Sequence, residues 1–224
     1  CVQLATLEFA LLDMLGKIAD KPAGLLIGDL LNPEVDIYLG HLLPQLRNLE
    51  PEESLELIDR DRLATQAKAI KLRAGRGDNL ASDIDNAPGR TEKLIQMARE
   101  KFGDDYVLMI DGNGSYSVDE AIRIGRILQE HNFYWYEEPV PWDWYEEQKR
   151  VEQALDIPMA GGEEEFGMHG FRYLVGNEVF QILQPDIFYF GGMVRTMQVA
   201  RMTEAAGLRI SPHISGGGLG FLYM

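Results

Sequence analysis

The chain has 224 residues, 46% apolar and 25% charged, a composition that suits one large globular domain and excludes disordered and fibrous classes. Its 21 basic and 36 acidic residues leave a net charge of −15, which repels phosphate backbones and anionic lipid, so neither nucleic acid nor a membrane surface is an expected partner. A single cysteine cannot close an internal disulfide and no apolar run approaches the ~18 residues of a membrane span, so a reducing, cytoplasmic setting is expected.

The chain opens Cys1-Val2-Gln3 without an initiator Met or a readable targeting signal, and its true beginning is expected to lie upstream. Leu4, Leu7, Leu11, Met14, Leu15 and Ile18 then recur at three- and four-residue intervals, which predicts an amphipathic helix over 4–19, stopped by Lys21-Pro22. Beyond it, β-rich runs at 35–39, 69–72, 106–110, 133–136, 157–160, 180–183 and 208–211 alternate with helical stretches at 52–67, 91–102, 117–130, 143–155, 168–175 and 193–206. Ser117 with Glu120 has the spacing of a capping box, and Gly103, Gly162 and Gly207 mark turns. Strict alternation predicts parallel strands with right-handed crossovers, in an open doubly wound sheet or a closed (β/α) barrel. The polar, glycine-rich stretch 75–90 reads as an active-site loop or a flexible connection, and no composition shift marks a second domain.

Acidic residues stand at the ends of successive predicted strands. Asp111 ends Val107-Leu108-Met109-Ile110, Glu137 ends Tyr134-Trp135-Tyr136, Glu163 follows Met159-Ala160-Gly161-Gly162, and Asp186 follows Ile182-Leu183-Gln184-Pro185. His213 follows Ile210-Ser211-Pro212, and the steps between these five residues are 23 to 27, about one βα unit each. In parallel α/β folds the C-terminal strand ends share one face, where the active site lies. Asp111, Glu137 and Glu163 make an all-oxygen set that suits Mg²⁺ or Mn²⁺ better than zinc. Without a cation, three neighbouring carboxylates would repel one another and one would have to protonate. The competing reading of each acid is a solvated loop or a helix N-cap.

Among the four histidines, His213 is the expected base, with Asp186 placed to hold its tautomer. His131 falls before its strand, where residues serve stability, and His169 starts a helix near the rim. His41 could face the site or serve as a hydrogen-bonded structural imidazole. Lys71 and Arg73 are two apart on a strand, so they share a face, and two interior cations beside carboxylates fit an anionic substrate. Trp135, Trp142 and Trp144 read as packing, and Gly191-Gly192 and Gly216-Gly217-Gly218 as close backbone passage.

These segments carry a resemblance. Asp111-Gly112-Asn113, Tyr136-Glu137-Glu138-Pro139, Gly161-Gly162-Glu163, Gln184-Pro185-Asp186 with Gly191-Gly192, and Ser211-Pro212-His213 stand in the order of the mandelate racemase subgroup of the enolase superfamily. Over nearly its whole length the chain resembles the acid-sugar dehydratase branch of that subgroup. The resemblance implies a (β/α) TIM-type barrel domain over 1–224, comprising strands one to seven and lacking the N-terminal capping domain and the last strand. It implies Mg²⁺, or Mn²⁺, held by Asp111, Glu137 and Glu163, and a His213–Asp186 dyad for proton transfer. Lys71 and Arg73 would serve catalysis and substrate binding, with Asn113 and His41 as further substrate contacts. The implied partner is a small sugar acid, and the implied state a homo-oligomer.

The subgroup's second-strand pair is Lys-x-Lys, whereas here the later position is Arg73. Arginine stays protonated and is a poor base, which disfavours a racemase needing bases on both faces of the α-carbon. The expected reaction is therefore abstraction of the α-proton, stabilisation of an ene-diolate and loss of the β-hydroxyl as water, giving a 2-keto-3-deoxy acid. The alternatives are a racemase or epimerase of a related hydroxy acid, or a catalytically silent barrel. Tyr116 is a candidate second proton donor.

Overall fold

A computed structural model describes residues 1–40, 48–215 and 219–224. The strands are β1 (Leu39–Gly40), β2 (Ala69–Arg73), β3 (Val107–Asp111), β4 (Tyr136–Glu137), β5 (Met159–Gly161), β6 (Ile182–Leu183) and β7 (Arg209–Ile210). The helices are α1 (Val2–Ala19), α2 (Pro51–Thr65), α3 (Arg90–Phe102), α4 (Val118–Glu130), α5 (Tyr145–Gln153), α6 (Met168–Gly176), α7 (Met193–Ala205) and α8 (Leu219–Tyr223). The seven strands lie in one sheet in chain order, and every pairing described is parallel. A doubly wound sheet reverses its strand order at a switch point, so this consecutive order selects the barrel-type arrangement between the two that alternation allows. No helix among the described residues is long and apolar enough to cross a membrane. His41 and Gly216-Gly217-Gly218 lie outside the described residues.

The chain divides into two compact units, Asp36–Ala160 and the pair of segments Cys1–Val35 and Gly161–Met224. In the first unit, alternation along β2 and β3 sends Ile70, Leu72, Leu108 and Ile110 to one face, all buried, while Lys71, Arg73, Met109 and Asp111 take the other. Leu94, Ile95 and Ala98 of α3 and Ala121, Ile124 and Leu128 of α4 are buried at helical spacing, the stripes that these amphipathic helices turn inward. Ser117 caps α4 by accepting from the Glu120 N–H, as the capping-box spacing predicts. The buried Arg99 donates to the carbonyls of Gly103, Tyr106, His131 and Asn132 and so ties together the turns that enter β3 and β4. His131 Nδ1 lies 2.8 Å from the Ile127 carbonyl, the structural role expected of it.

The stretch 75–90 is braced by backbone bonds. Asn79, Ala81 and Asp83 donate to the carbonyls of Asn113, Gly114 and Ser115, while the Asp83 and Asp85 side chains accept from the N–H groups of Ser117 and Thr91. Each carboxylate satisfies a donor at the start of a helix, which ties the later part of the stretch to α3 and α4. Tyr116 is buried beneath it with its hydroxyl on Thr91 Oγ1, and burial pushes the phenol far above its ordinary value. That placement withdraws it as a proton donor to substrate.

In the second unit α1 forms as the periodicity predicts, but on a different face. Ala5, Phe9, Leu12 and Gly16 are buried, whereas Leu4, Leu7, Leu11, Met14, Leu15 and Ile18 are exposed. Phe9 sets this orientation, packing edge-on to Phe188 at 5.2 Å and stacked on Tyr223 at 4.9 Å. Glu8 then reaches the N-terminus of α7, its Oε1 accepting from the Met193 and Val194 N–H groups. Gly161 ends β5 with its carbonyl bonded to the Gln184 N–H, and a Cβ there would stand 2.5 Å from the Phe180 ring, so only glycine fits.

Candidate active site

Sheet register assembles the charged row of the first unit. Arg73 pairs with Asp111 and Asp111 with Glu137, and residues paired across parallel strands share a face, so all three side chains point the same way from adjacent strand ends. Arg73 Nη1 lies 3.1 Å from Asp111 Oδ2, and Lys71 Nζ, buried on the same face, donates to Glu137 Oε1. Burial drives the Asp111 carboxyl above its ordinary value; Arg73 opposes this, and neighbouring Glu137 adds to the rise. The Asn113 N–H caps Asp111 Oδ1 at 2.8 Å.

The backbone turns sharply after these acids. Asn113 has φ +42° and the buried Glu138 has φ +31°, the left-handed region, which costs a non-glycine residue about 1–2 kcal/mol. Gly112 permits the β3 and β4 turns to approach, because a Cβ at this position would lie 2.8 Å from Pro139 Cα.

The second unit holds the imidazole. Asp186 and His213 face each other across an isolated parallel bridge that extends the β6–β7 pairing, which places their side chains together. His213 Nδ1 lies 2.7 Å from Asp186 Oδ2, and His213 Nε2 lies 3.2 Å from Glu163 Oε2. Burial alone would raise the Asp186 carboxyl, but hydrogen bonds from His213, Ser215 and the Tyr189 N–H outweigh it and hold the group below the ordinary carboxylate value. An ionised Asp186 accepts the Nδ1 proton, which fixes the ring with Nε2 turned toward Glu163.

The expected residues thus fall into two sets, Lys71, Arg73, Asp111, Asn113 and Glu137 in one unit and Glu163, Asp186 and His213 in the other. Asn113 touches the row through its backbone N–H. His169, at the start of α6, is exposed. Two contributors escaped the sequence reading. Ser215 donates to Asp186 from the loop after His213, at 2.7 Å. Trp135, read as packing, also donates its indole N–H to Glu137 Oε2 at 3.1 Å, a contact that its same-face i, i+2 spacing to Glu137 signals.

Asp111 and Glu137 of one unit and Glu163 of the other make a set of three acids. Its donors are all carboxylate oxygens, which suits a hard divalent cation, and a cation would relieve the buried Asp111 carboxyl that burial and Glu137 disfavour as an anion.

Comparison with known proteins gives the family. The family model described as enolase C-terminal domain-like matches residues 54–224. Arabinonate dehydratase of Saccharolobus solfataricus is 26% identical over 98% of this chain and 56% of its own length. D-galactarolactone cycloisomerase of Agrobacterium fabrum is 30% identical over 96% of this chain and 54% of its own. The chain thus spans about half the length of the curated relatives it matches. The crystal structure of a mandelate racemase/muconate lactonizing protein from Paracoccus denitrificans PD1222 complexed with magnesium superimposes with a TM-score of 0.85 at 30% identity, over 95% of this chain and 55% of that one. The chain belongs to the enolase superfamily, whose C-terminal domain it carries.

Proposed function

We propose that the chain belongs to a metal-dependent dehydratase that removes the α-proton of a sugar-acid carboxylate and eliminates the β-hydroxyl as water. The observation that carries the reading is the His213–Asp186 contact of 2.7 Å, in which a carboxylate held ionised orients the imidazole through Nδ1, the arrangement a general base uses. Asp111, Glu137 and Glu163 would hold Mg²⁺, or Mn²⁺. Such an ion supplies Lewis-acid stabilisation of charge on the substrate carboxylate.

Removing an α-proton from a carboxylate builds a second negative charge on a group already charged, and this chain's own residues answer that difficulty. His213 Nε2 takes the proton, and Asp186 stabilises the imidazolium that results. Lys71 and Arg73 present two fixed positive charges to the substrate carboxylate. Arg73 Nε is buried without a hydrogen-bond partner among the described residues, a donor that an anionic substrate would satisfy. The imidazolium then carries the proton with which the β-hydroxyl departs as water. Asn113, on the loop that caps Asp111, would meet the hydroxyls of the substrate. The names of relatives such as arabinonate dehydratase support this substrate class.

A second reading, isomerisation, shares the α-proton step and is favoured by the 30% identity to a cycloisomerase. Arg73 separates the two, because a guanidinium paired with Asp111 orients an anion and does not take a proton from the opposite face of the α-carbon. Replacing Arg73 by Lys is expected to raise KM roughly fivefold to tenfold, since a point charge replaces a planar fork, and to introduce slow epimerisation through the new amine. The check is NMR of the α-centre with each epimer of an accepted acid. Interconversion of epimers by the unmodified protein, without keto-acid, would establish the isomerase reading instead.

A further inference from the structure

We propose that Trp135 is a positioning residue for Glu137, whose carboxylate its indole N–H holds in the orientation needed to bind the metal. The inference rests on the metal reading above and assigns a role within it that sequence reasoning gave to packing. Trp135 stands two residues before Glu137 and just ahead of β4, where its carbonyl accepts the Ile110 N–H, so the extended backbone carries both side chains to the same side. Its Nε1 donates to Glu137 Oε2 at 3.1 Å while Lys71 donates to Oε1, so the two oxygens are gripped from different directions. An indole is a donor and never an acceptor, so this contact specifies a carboxylate oxygen.

The grip is itself fixed. Trp135 is 5% exposed, its ring meeting Tyr38 edge-on at 5.6 Å and Tyr134 at 5.7 Å. Lys71 Nζ sits 5.5 Å from the centre of the Tyr38 ring, so the same aromatic group seats both donors to Glu137. A bulky ring packed on two sides cannot follow a wandering carboxylate, and Glu137 is confined to the rotamer that meets the indole. Partners of this kind commonly contribute tenfold to a hundredfold in metal affinity.

Trp135→Phe keeps an aromatic ring, removes the N–H and trims the indole to one ring, so urea unfolding is measured beside binding to register the packing cost. Calorimetry with Mn²⁺ alone is expected to show affinity about tenfold to a hundredfold weaker than the unmodified protein, with an unchanged far-ultraviolet circular dichroism spectrum. A second measurement does not depend on that variant folding. In the Trp142→Phe/Trp144→Phe protein, Trp135 is the sole tryptophan, and its emission is expected to change on Mn²⁺ titration with the midpoint found by calorimetry, because the indole bonds to a metal ligand. Equal Mn²⁺ affinity in Trp135→Phe and the unmodified protein would overturn the inference, as would emission that stays constant through a titration that saturates. No Mn²⁺ binding by the unmodified protein would overturn the metal reading itself, and this inference with it.

Discussion

Replacing His213 by Asn is expected to lower α-proton exchange by about 10²–10⁴-fold, the usual contribution of a positioned general base. Asn is close in reach to the imidazole, and its amide can donate to Asp186 as Nδ1 does, but it has no basic nitrogen. The loss of function should come without a comparable loss of stability. Asp186 keeps its bonds from Ser215 and from the Phe188 and Tyr189 N–H groups, so the substitution does not strand a buried anion. The measurement is loss of the α-proton NMR signal in D₂O, with urea unfolding of the same variant as control. Exchange that persists in His213→Asn would assign proton abstraction to another group.

Lys71→Met is expected to destabilise the fold by about 3–5 kcal/mol, because it leaves Glu137 buried without its ammonium partner. Methionine matches the lysine stem in volume, so the change tests charge and not packing. Trp135 remains on Glu137 Oε2 but supplies one neutral hydrogen bond against the desolvation of a full charge. The Lys71→Met/Glu137→Leu double variant should recover most of the loss, since it removes both members of the pair. Urea denaturation of the two single variants, the double variant and the unmodified protein closes the cycle. A loss below about 1 kcal/mol in Lys71→Met would show that the pair behaves as though solvent-exposed.

Much of this arrangement is legible in the sequence because strands in a parallel α/β fold deliver one residue each to a common face. Asp111, Glu137, Glu163, Asp186 and His213 recur at one βα unit, and apolar runs before them mark their strands. The pleat made Lys71 and Arg73 readable as a same-face pair, and register then set Arg73 beside Asp111 and Asp111 beside Glu137. What was hidden depends on tertiary partners. The buried face of α1 could not be chosen from periodicity, since Leu4, Leu7 and Leu11 compete with Ala5, Phe9 and Leu12 for it, and Phe188 and Tyr223 decide in favour of Phe9. The first strand was expected at 35–39, but the ladder pairs Leu39 and Gly40 with Ile70 and Lys71, leaving Val35 and Ile37 exposed. Ser215 lies in a loop without period, so nothing in its spacing announced the bond to Asp186. Trp135 has an apolar body with one polar atom, and composition records only the body.

Metal-dependent removal of an α-proton followed by loss of water is the proposed reaction. The direct measurement is to incubate the protein in D₂O with a panel of mono- and diacid sugars and Mg²⁺, and to follow the α-proton and any keto-acid by NMR, with and without excess chelator. At least one acid is expected to lose its α-proton and yield a 2-keto-3-deoxy acid, and chelator is expected to abolish both. Dehydration that continues undiminished after the divalent metal is stripped would contradict the proposed reaction.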